Sequence, residues 1–597
     1  MTKYLCWIEQ NEGWRGRGAS RHALDRFTAG YDIVYDSDDH VVDPDAMEEF
    51  ARAADGCDYD LIYCDEDVIK KGLREEPFFK PGYSPETQRS TGYIYGMVAL
   101  KKGVEAGDLS RFARDKVWHI DKVLYHRNGD AKPGKMIKAA GKKDAAKGQE
   151  KAGERRSEIS AEREEAKDRG EEFFIDKLEK KISVIILSKD HPEMLARCVK
   201  SLTASLLADD TEIILIDNGS TDENRSLYEE TVREYGIVYH YEPSEFNYPR
   251  LNNCGVSKAS GDVYIFMNDD IEIPAGEKGV TERLALKAME EGVGAVGLKL
   301  LYPGEERIQH CGVTLLHSGP SHKLQGYRDG SYHHGYSDHD INTIAVTGAC
   351  LAISRENYEA VGGFDESLPV AYNDVDLCIR LYDRGLYNVC MNSHHLIHSE
   401  SATRPDDRDH REAYERLKAE KRYFTTRHPE LAEGGDPFMS GNITRFGLDF
   451  DINLPEEWET SGMSDITLLK DKVKDGKKIH ASLDSFEYCT QDAYGNEDFY
   501  EIRGWIFKEG GRQAEPYVML QTEGARYTVT AQRMERRDVA RSFPKEKHAA
   551  KSGFIARIPA KAMDELNAWG EVTAYPVLKG RHVLIKGDEK CQMTKEI

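Results

Sequence analysis

Apolar residues fall along this chain in short unbroken runs, each followed by a polar turn. KISVIILSKD (residues 181–190), EIILIDNGSTD (212–222) and DVYIFMND (262–269) are runs of strand length, and VYHY (238–241) adds a shorter one. Residues 193–206 place apolar side chains at helical spacing. The same spacing returns at 281–291 and 374–384, where Gly292 and Gly385 stand as helix stops. Strands that are apolar at consecutive positions are covered on both faces, so the pattern predicts an α/β domain with a largely parallel sheet and helices on each side. Beyond residue 478 the pattern changes to short alternating runs rich in aromatics, FYEIRGWIF, EPYVMLQT, ARYTVTAQ, SGFIARIP and EVTAYPV, which predict an all-β, sandwich-like module over 478–597.

The remaining segments complete the layout. Residues 131–180 are dominated by Ala, Gly, Lys, Glu and Arg and read as a charged helical linker; 451–477 form a second linker. The first block, 1–130, again has strands that run into acidic clusters, YDIVYDSDDHVVDPDAM and DLIYCDEDVI, which suggests an internal duplication of the domain at 181–450. A length of 597 residues accommodates several such domains.

Composition narrows the function. Lys and Arg number 82 against 106 Asp and Glu, a formal charge of −24 that repels phosphate backbones and argues against nucleic acid as a partner. The apolar runs are far shorter than a membrane span, and no leader-like segment opens the chain. The eleven Cys stand apart, without a CxxC pair, as reduced core thiols do, which together with the missing leader points to the cytoplasm.

In open parallel sheets ligands sit beyond the carboxyl ends of the strands, so the polar residues after each run are the candidate chemistry. Asp217-Asn218-Gly219-Ser220 follows IILI; its carboxylate suits a nucleobase N–H, or simply forms a strand-to-helix turn. Asn268-Asp269-Asp270 follows VYIFM, and adjacent carboxylates are relieved by a hard cation such as Mg²⁺ or Mn²⁺. Asn373-Asp374-Val375-Asp376 opens a helix, where Asp374 suits a general base and either carboxylate suits a helix cap. His394, His395 and His398 follow a predicted strand YNVCMN and offer an imidazole to the same cation. Residues 321–340 have the aromatic, His and Gly content of a sugar-contacting loop.

The order of these motifs, with TGACL (347–351), VGGFDE (361–366), NDVDLCIRL and HSES, resembles the inverting family 2 glycosyltransferases of the GT-A fold that build bacterial surface and cell-wall polysaccharides, over about residues 181–404. VGAVGLKLLYPG, IQHCGV and DPFMSGNIT extend the likeness. The resemblance implies an α/β, Rossmann-like GT-A catalytic domain, preceded by a degenerate partial GT-A domain and followed by the β module. It implies a hexosyl- or rhamnosyltransferase with a UDP- or dTDP-sugar donor, a glycan or lipid-linked glycan acceptor and a divalent metal cofactor. It allows peripheral association with membrane assembly machinery at the inner face, and a homo-oligomer. By the same resemblance Ser188, Asp217, Asn252, Asn253 and Asp269 bind donor, Asp270 and His398 hold the metal and Asp374 is the base. This chain has Asn252-Asn253-Cys254-Gly255 where many relatives carry Arg-Asn before the Gly, with Arg250 as a substitute, and Asn373-Asp374 where many carry Glu-Asp.

SDDHVVDPDAM, YCDEDVI, PFFKPGYSPETQRSTGYI and HIDKVLYHR make the first block similar to the first domain of tandem members of this family. It has no counterpart of Asp217 and no room between Leu109 and Phe112 for a helix bearing a base, so it reads as truncated and non-catalytic, with Asp38 and Asp39 lacking partners. Two other readings stay open at this point. One is a non-catalytic glycan-binding scaffold of a polysaccharide assembly complex. The other is a nucleotidyltransferase, which the missing Gly-rich loop at LSKDHPEM disfavours.

Overall fold

The computed structural model describes residues 19–128, 180–399, 411–453 and 464–593 with short interruptions, and a few positions before 19. The linker expected at 131–180 lies outside the described residues, apart from its last position. The chain forms two compact units, Met1–Asn453 and Leu454–Ile597.

In the first unit, one sheet holds β1 (Tyr31–Tyr35), β2 (His40–Val42), β3 (Leu61–Lys70), β4 (Leu73–Phe78), β5 (Met97–Lys101) and β6 (Val117–Asn128). Their order is β1-β5-β3-β6-β2, with β4 on β3. The second sheet begins with β7 (Ile182–Ser188), β8 (Thr211–Asp217), β9 (Val238–Tyr241), β10 (Val263–Asn268), β11 (Ile271–Glu272), β12 (Val293–Leu301) and β13 (Ile308–His310). A hairpin, β14 (Val313–Leu316) with β15 (Gly319–His322), stands apart from it; β16 (Asp340–Thr343), β17 (Cys350–Ser354) and β18 (Tyr387–His398) complete it. The order is β11-β18-β12-β17-β10-β7-β8-β9, with β13 on β12 and β16 on β18.

Both faces of the second sheet are covered, as its continuous apolar runs require. Val184 and Ile186 face a core shared with the helices Pro192–Ala204, Asp222–Tyr235 and Val280–Ala288. Ile185 faces the other core, with the helices Tyr248–Val256, Arg355–Ala360 and Asn373–Asp383. Gly255 shows how close the second layer comes: a Cβ there would lie 2.5 Å from the Ile185 side chain, so only glycine lets this helix seat on β7. The histidines expected after YNVCMN are instead inside β18, because parallel pairing with β12 resumes past a register shift, Leu298 facing Met391 and Lys299 facing His395.

The two sheets show the duplication topologically. β1-β5-β3-β6-β2 reproduces β10-β17-β12-β18-β11, with β5, like β17, antiparallel to both neighbours. β3 and β6 pair parallel as β12 and β18 do. Where the second sheet has the helix Asn373–Asp383 between β17 and β18, the described residues between β5 and β6 form only two 3-10 turns, Leu109–Arg111 and Arg114–Lys116. The acidic run of YCDEDVI differs from its expected place after a strand: it lies within β3, fully buried. Burial is tolerated because each carboxylate is paired, Asp65 with His119, Glu66 with Lys80 and Arg127, Asp67 with His126 and Arg74. Asp38 lies outside the described residues, and Asp39 accepts a hydrogen bond from Asn128.

The second unit contains strands from Ile466 onward, earlier than the expected module start at 478. A four-stranded sheet centred on Phe499–Lys508 and a second sheet centred on Pro516–Gln521 share one core, in which Ile502, Ile506 and Phe554 meet Val518, Leu520 and Ala574. Trp505 alternates away from that core and packs in a smaller cluster with Phe507 and Phe543. Tyr517 and Tyr527 are partly buried, and Tyr494 lies outside the described residues.

The first block docks on the central domain through a helix end. Ser84 leaves the helix Pro85–Thr91 without a side-chain cap, and buried Asn342 of β16 supplies it, accepting from the Glu86 amide at 2.7 Å while donating to the Asn388 carbonyl. Arg114 stacks over Tyr382 at 3.7 Å beside it. Asn342→Ala should therefore lower stability by about 1–2 kcal/mol, the cost of a lost cap with a buried amide left unpaired. Denaturant unfolding of the full chain checks this; an unchanged midpoint would show that the cap contributes nothing.

Candidate active site

Three adjacent parallel strands end together. β7 lies between β8 and β10, with Ser188 opposite Asp217 and Leu187 opposite Asn268, so Ser188, Asp217 and Asn268-Asp269-Asp270 share one sheet end. Asp217 is fully buried; its Oδ1 accepts from the Ser220 amide at 2.8 Å and its Oδ2 from the Tyr239 hydroxyl at 2.7 Å. The carboxylate thus builds the strand-to-helix turn. Asn218, also buried, donates to the Glu242 and Ser244 carbonyls and keeps its Oδ1 without a partner.

Asp269 is held by a relay of hydroxyls. The His191 amide donates to the Tyr228 hydroxyl, Tyr228 to Ser188 Oγ at 2.7 Å, and Ser188 to Asp269 Oδ2 at 2.5 Å. Burial raises the Asp269 pKa to about 6; the charge of Asp270 pushes the same way, against the lowering effect of the Ser188 hydrogen bond.

Asp270 meets His398 because β11 pairs with β18 at Ile271 and His398, which brings its Oδ1 to 3.1 Å from His398 Nε2. His398 Nδ1 is 2.7 Å from Gln309 Oε1, an acceptor to which it donates, and this leaves Nε2 as the acceptor nitrogen, 3.3 Å from Asn268 Nδ2. The Asp270 oxygen is buried and has no hydrogen-bond partner. A carboxylate oxygen and an imidazole lone pair this close repel unless a proton or a cation lies between them, so this donor set fits a divalent cation. His394 and His395 do not join it, being held by Glu277. Gln309, in IQHCGV, carried no sequence signal of its role beyond its motif.

The helix Asn373–Asp383 brings the next carboxylate. Tyr372 enters it through the left-handed region at φ 62°, a strained conformation for a non-glycine residue. Asp374 Oδ2 accepts from the Gly348 amide at 2.8 Å, and the next carbonyl, of Ala349, accepts from the Asn268 amide at 2.9 Å. Two consecutive residues of one loop thus tie Asp374 to the Asp269-Asp270 turn. Asp376 is different in kind: it is fully buried and ion-paired to Arg380, Arg427 and His428, so it anchors the helix Arg411–Arg427.

The family model of glycosyl transferase family 2 matches residues 183–309, the segment that carries this arrangement. Over this segment the central domain is similar to the family 2 glycosyltransferases. The chain is 32% identical over 427 residues to the O-antigen biosynthesis protein RfbC of Myxococcus xanthus, covering 67% of this chain and 32% of that protein. It is 31% identical over 476 residues to the uncharacterized protein y4gI of Sinorhizobium fredii, covering 73% of this chain and 51% of that one. The chain therefore spans a third to a half of the length of these curated relatives. A solved mannosyltransferase, PcManGT of Pyrobaculum calidifontis, aligns over 38% of this chain and 58% of its own at 14% identity, with a TM-score of 0.29.

The two asparagines are engaged in hydrogen bonds within the fold. Asn252 is buried and donates to the Tyr248 carbonyl, while Asn253 donates to the Phe364 carbonyl and Glu366 and accepts from Tyr358. Both amides hold the helix Tyr248–Val256 in place. Arg250 donates to Ser244 and the Glu245 carbonyl, closing the loop around Asn218. The loop at 321–340 is mostly half-buried or exposed, with His333 stacked on Phe450 and His334 on Phe78. Among the described residues no helix is long and apolar enough to cross a membrane.

The raised Asp269 pKa has a consequence for stability. A group whose folded value lies above its ordinary one favours the fold at acid pH, and that contribution is lost as pH rises through about 6. Asp269→Asn, which keeps an acceptor for Ser188, should make the cation-free protein more stable by about 1–2 kcal/mol at neutral pH and leave it unchanged well below the ordinary carboxylate range. Thermal unfolding across pH in chelator reads this; an Asn variant that loses stability at neutral pH would contradict it.

Proposed function

We propose that the central domain transfers a hexosyl or rhamnosyl residue, with inversion, from a nucleoside-diphosphate sugar to a glycan or lipid-linked glycan acceptor in bacterial surface polysaccharide synthesis. The observation that carries this reading is the convergence at one sheet end of Asp269 and Asp270, His398 on the adjoining strand, and Asp374 tied to them through Gly348 and Ala349. The family match over residues 183–309 and the likeness to RfbC, a protein named for O-antigen biosynthesis, support the same class of reaction.

In this reading Asp217, Asn218 and the loop that Arg250 closes line the nucleoside end of the donor, Asn252 and Asn253 position their helix beside it, and Ser188 orients Asp269 toward the ribose. Asp270 and His398 hold a divalent cation, Mn²⁺ or Mg²⁺, which when bound offsets charge on the leaving diphosphate. Asp374, partly exposed and held by the Gly348 amide, accepts the proton of the acceptor hydroxyl as that oxygen attacks the anomeric carbon and the diphosphate departs. The first block, which lacks a helix equivalent to Asn373–Asp383 among its described residues, supports the central domain instead of catalysing transfer.

Asp374→Asn should retain donor affinity and lose transfer by about 10²–10⁴-fold, the range for removal of a general base. Asp376→Asn should instead lower the thermal midpoint, because it leaves Arg380, Arg427 and His428 without their shared anion. Nucleotide-sugar turnover and calorimetric donor binding measured on both variants separate these effects. An Asp374→Asn enzyme that turns over at the parent rate would overturn the assignment.

A further inference from the structure

A second group of metal-ligating side chains lies at the far edge of the sheet, outside the Asp270 and His398 pair. His240 is in the edge strand β9, Glu242 follows that strand, and Cys254 is in the helix Tyr248–Val256. Their contact follows from the packing already described. β9 pairs with β8 so that His240 stands beside Ile216, and Gly255 seats the helix against Ile185 with Ile216 next to it, which turns the preceding Cys254 toward His240. His240 Nε2 lies 3.2 Å from Glu242 Oε2, and these two atoms and the Cys254 Sγ all lie within 4.8 Å of one another.

We propose that His240, Glu242 and Cys254 form a binding site for a thiophilic divalent cation of the zinc class, with a fourth position open to water. A tetrahedral zinc with bonds of about 2.0–2.3 Å sets its donor atoms about 3.3–3.6 Å apart, so the His240–Glu242 spacing already fits and the thiol needs only a small approach. An imidazole, a carboxylate and a thiolate also neutralise a doubly charged ion, whereas the oxygen-preferring Mg²⁺ or Mn²⁺ would not select a thiol. All three residues are partly exposed, so an ion can enter from solvent. Binding a cation as thiolate displaces the proton of Cys254 to solvent.

The site adjoins the donor turn through main-chain bonds. The Glu242 amide donates to the Asp217 carbonyl at 2.8 Å, and Asn218 donates to the Glu242 carbonyl at 3.1 Å. A bound ion would therefore clamp the edge strand to the helix Tyr248–Val256 and hold this turn. The inference rests on these three side chains and stands whether or not the sheet end binds a nucleotide sugar.

Co²⁺ tests it on the full-length protein after chelator treatment, because thiolate ligation gives a near-ultraviolet charge-transfer band and tetrahedral geometry gives intense visible bands. The parent protein and an Asp270→Ala variant should both show these bands at one equivalent, and Zn²⁺ should bleach them. Cys254→Ser should lose the charge-transfer band, Cys57→Ser should keep it, and His240→Gln, on an exposed edge, should weaken Co²⁺ binding by about tenfold or more. A parent protein without the band, or a band that survives in both Cys254→Ser and His240→Gln, would overturn the proposal.

Discussion

Two neighbouring carboxylates at the end of β10 impose the main constraint on the central domain. Asp269 and Asp270 follow a strand whose side chains are buried on both faces, and charges there repel each other more strongly than they would in water. Their surroundings answer that repulsion from two sides. Toward β7 and β8, the Tyr228 and Ser188 hydroxyls reach Asp269. Toward β18, the pairing of Ile271 with His398 brings an imidazole to Asp270, and Gln309 next to β12 sets its tautomer. The sheet order is thus what assembles the site: residues far apart in the chain meet because β18 pairs with β11 and β10 pairs with β7.

The two similar sheets treat their acidic residues differently. At the register where β11 meets His398, β2 meets Arg127 of β6, while the neighbouring His126 is held by Asp67 and lies near Asp43, and Asp39 bonds Asn128. The buried carboxylates of β3 are matched by Lys80, Arg74 and Arg127, so their charge is spent in the fold. In the central sheet Asp270 Oδ1 faces His398 Nε2 at 3.1 Å, with no lysine or arginine paired to it among the described residues. A polar atom left unpaired in a buried place marks a ligand site more sharply than the acidic residues do by themselves.

Much of this was legible in the sequence because unbroken apolar runs report strands covered on both faces, and Gly385, at positive φ, reports a helix end. Gly292 lies instead in the turn before β12, past the helix end at Ala288. The strand ends of β7, β8 and β10 therefore lay near their expected positions. What the runs could not report were contacts fixed by register and by side-chain reach. His394, His395 and His398 look alike in the sequence, yet only His398 falls at the register of β11, while the other two meet Glu277. Asp374 and Asp376 are equally acidic, and only packing against Arg427 and His428 separates an anchor from an open carboxylate. The loop at 321–340 looks polar in composition, yet two of its histidines, His333 and His334, stack on Phe450 and Phe78. Cys254 appeared only as a departure from the family pattern until β9 placed His240 and Glu242 beside it.

The central claim is that the sheet end holds a divalent cation through Asp270 and His398, and that this cation carries the donor's diphosphate. Equilibrium binding of UDP and dTDP by calorimetry, with Mn²⁺ and with chelator, on the parent, Asp270→Ala and His398→Gln proteins, tests it most directly. At least one nucleotide should bind the parent protein with Mn²⁺ and fail to bind in chelator, and Asp270→Ala should abolish and His398→Gln weaken the Mn²⁺-dependent binding. Nucleotide binding that is equally strong in chelator, or undiminished in the Asp270→Ala protein, would contradict it.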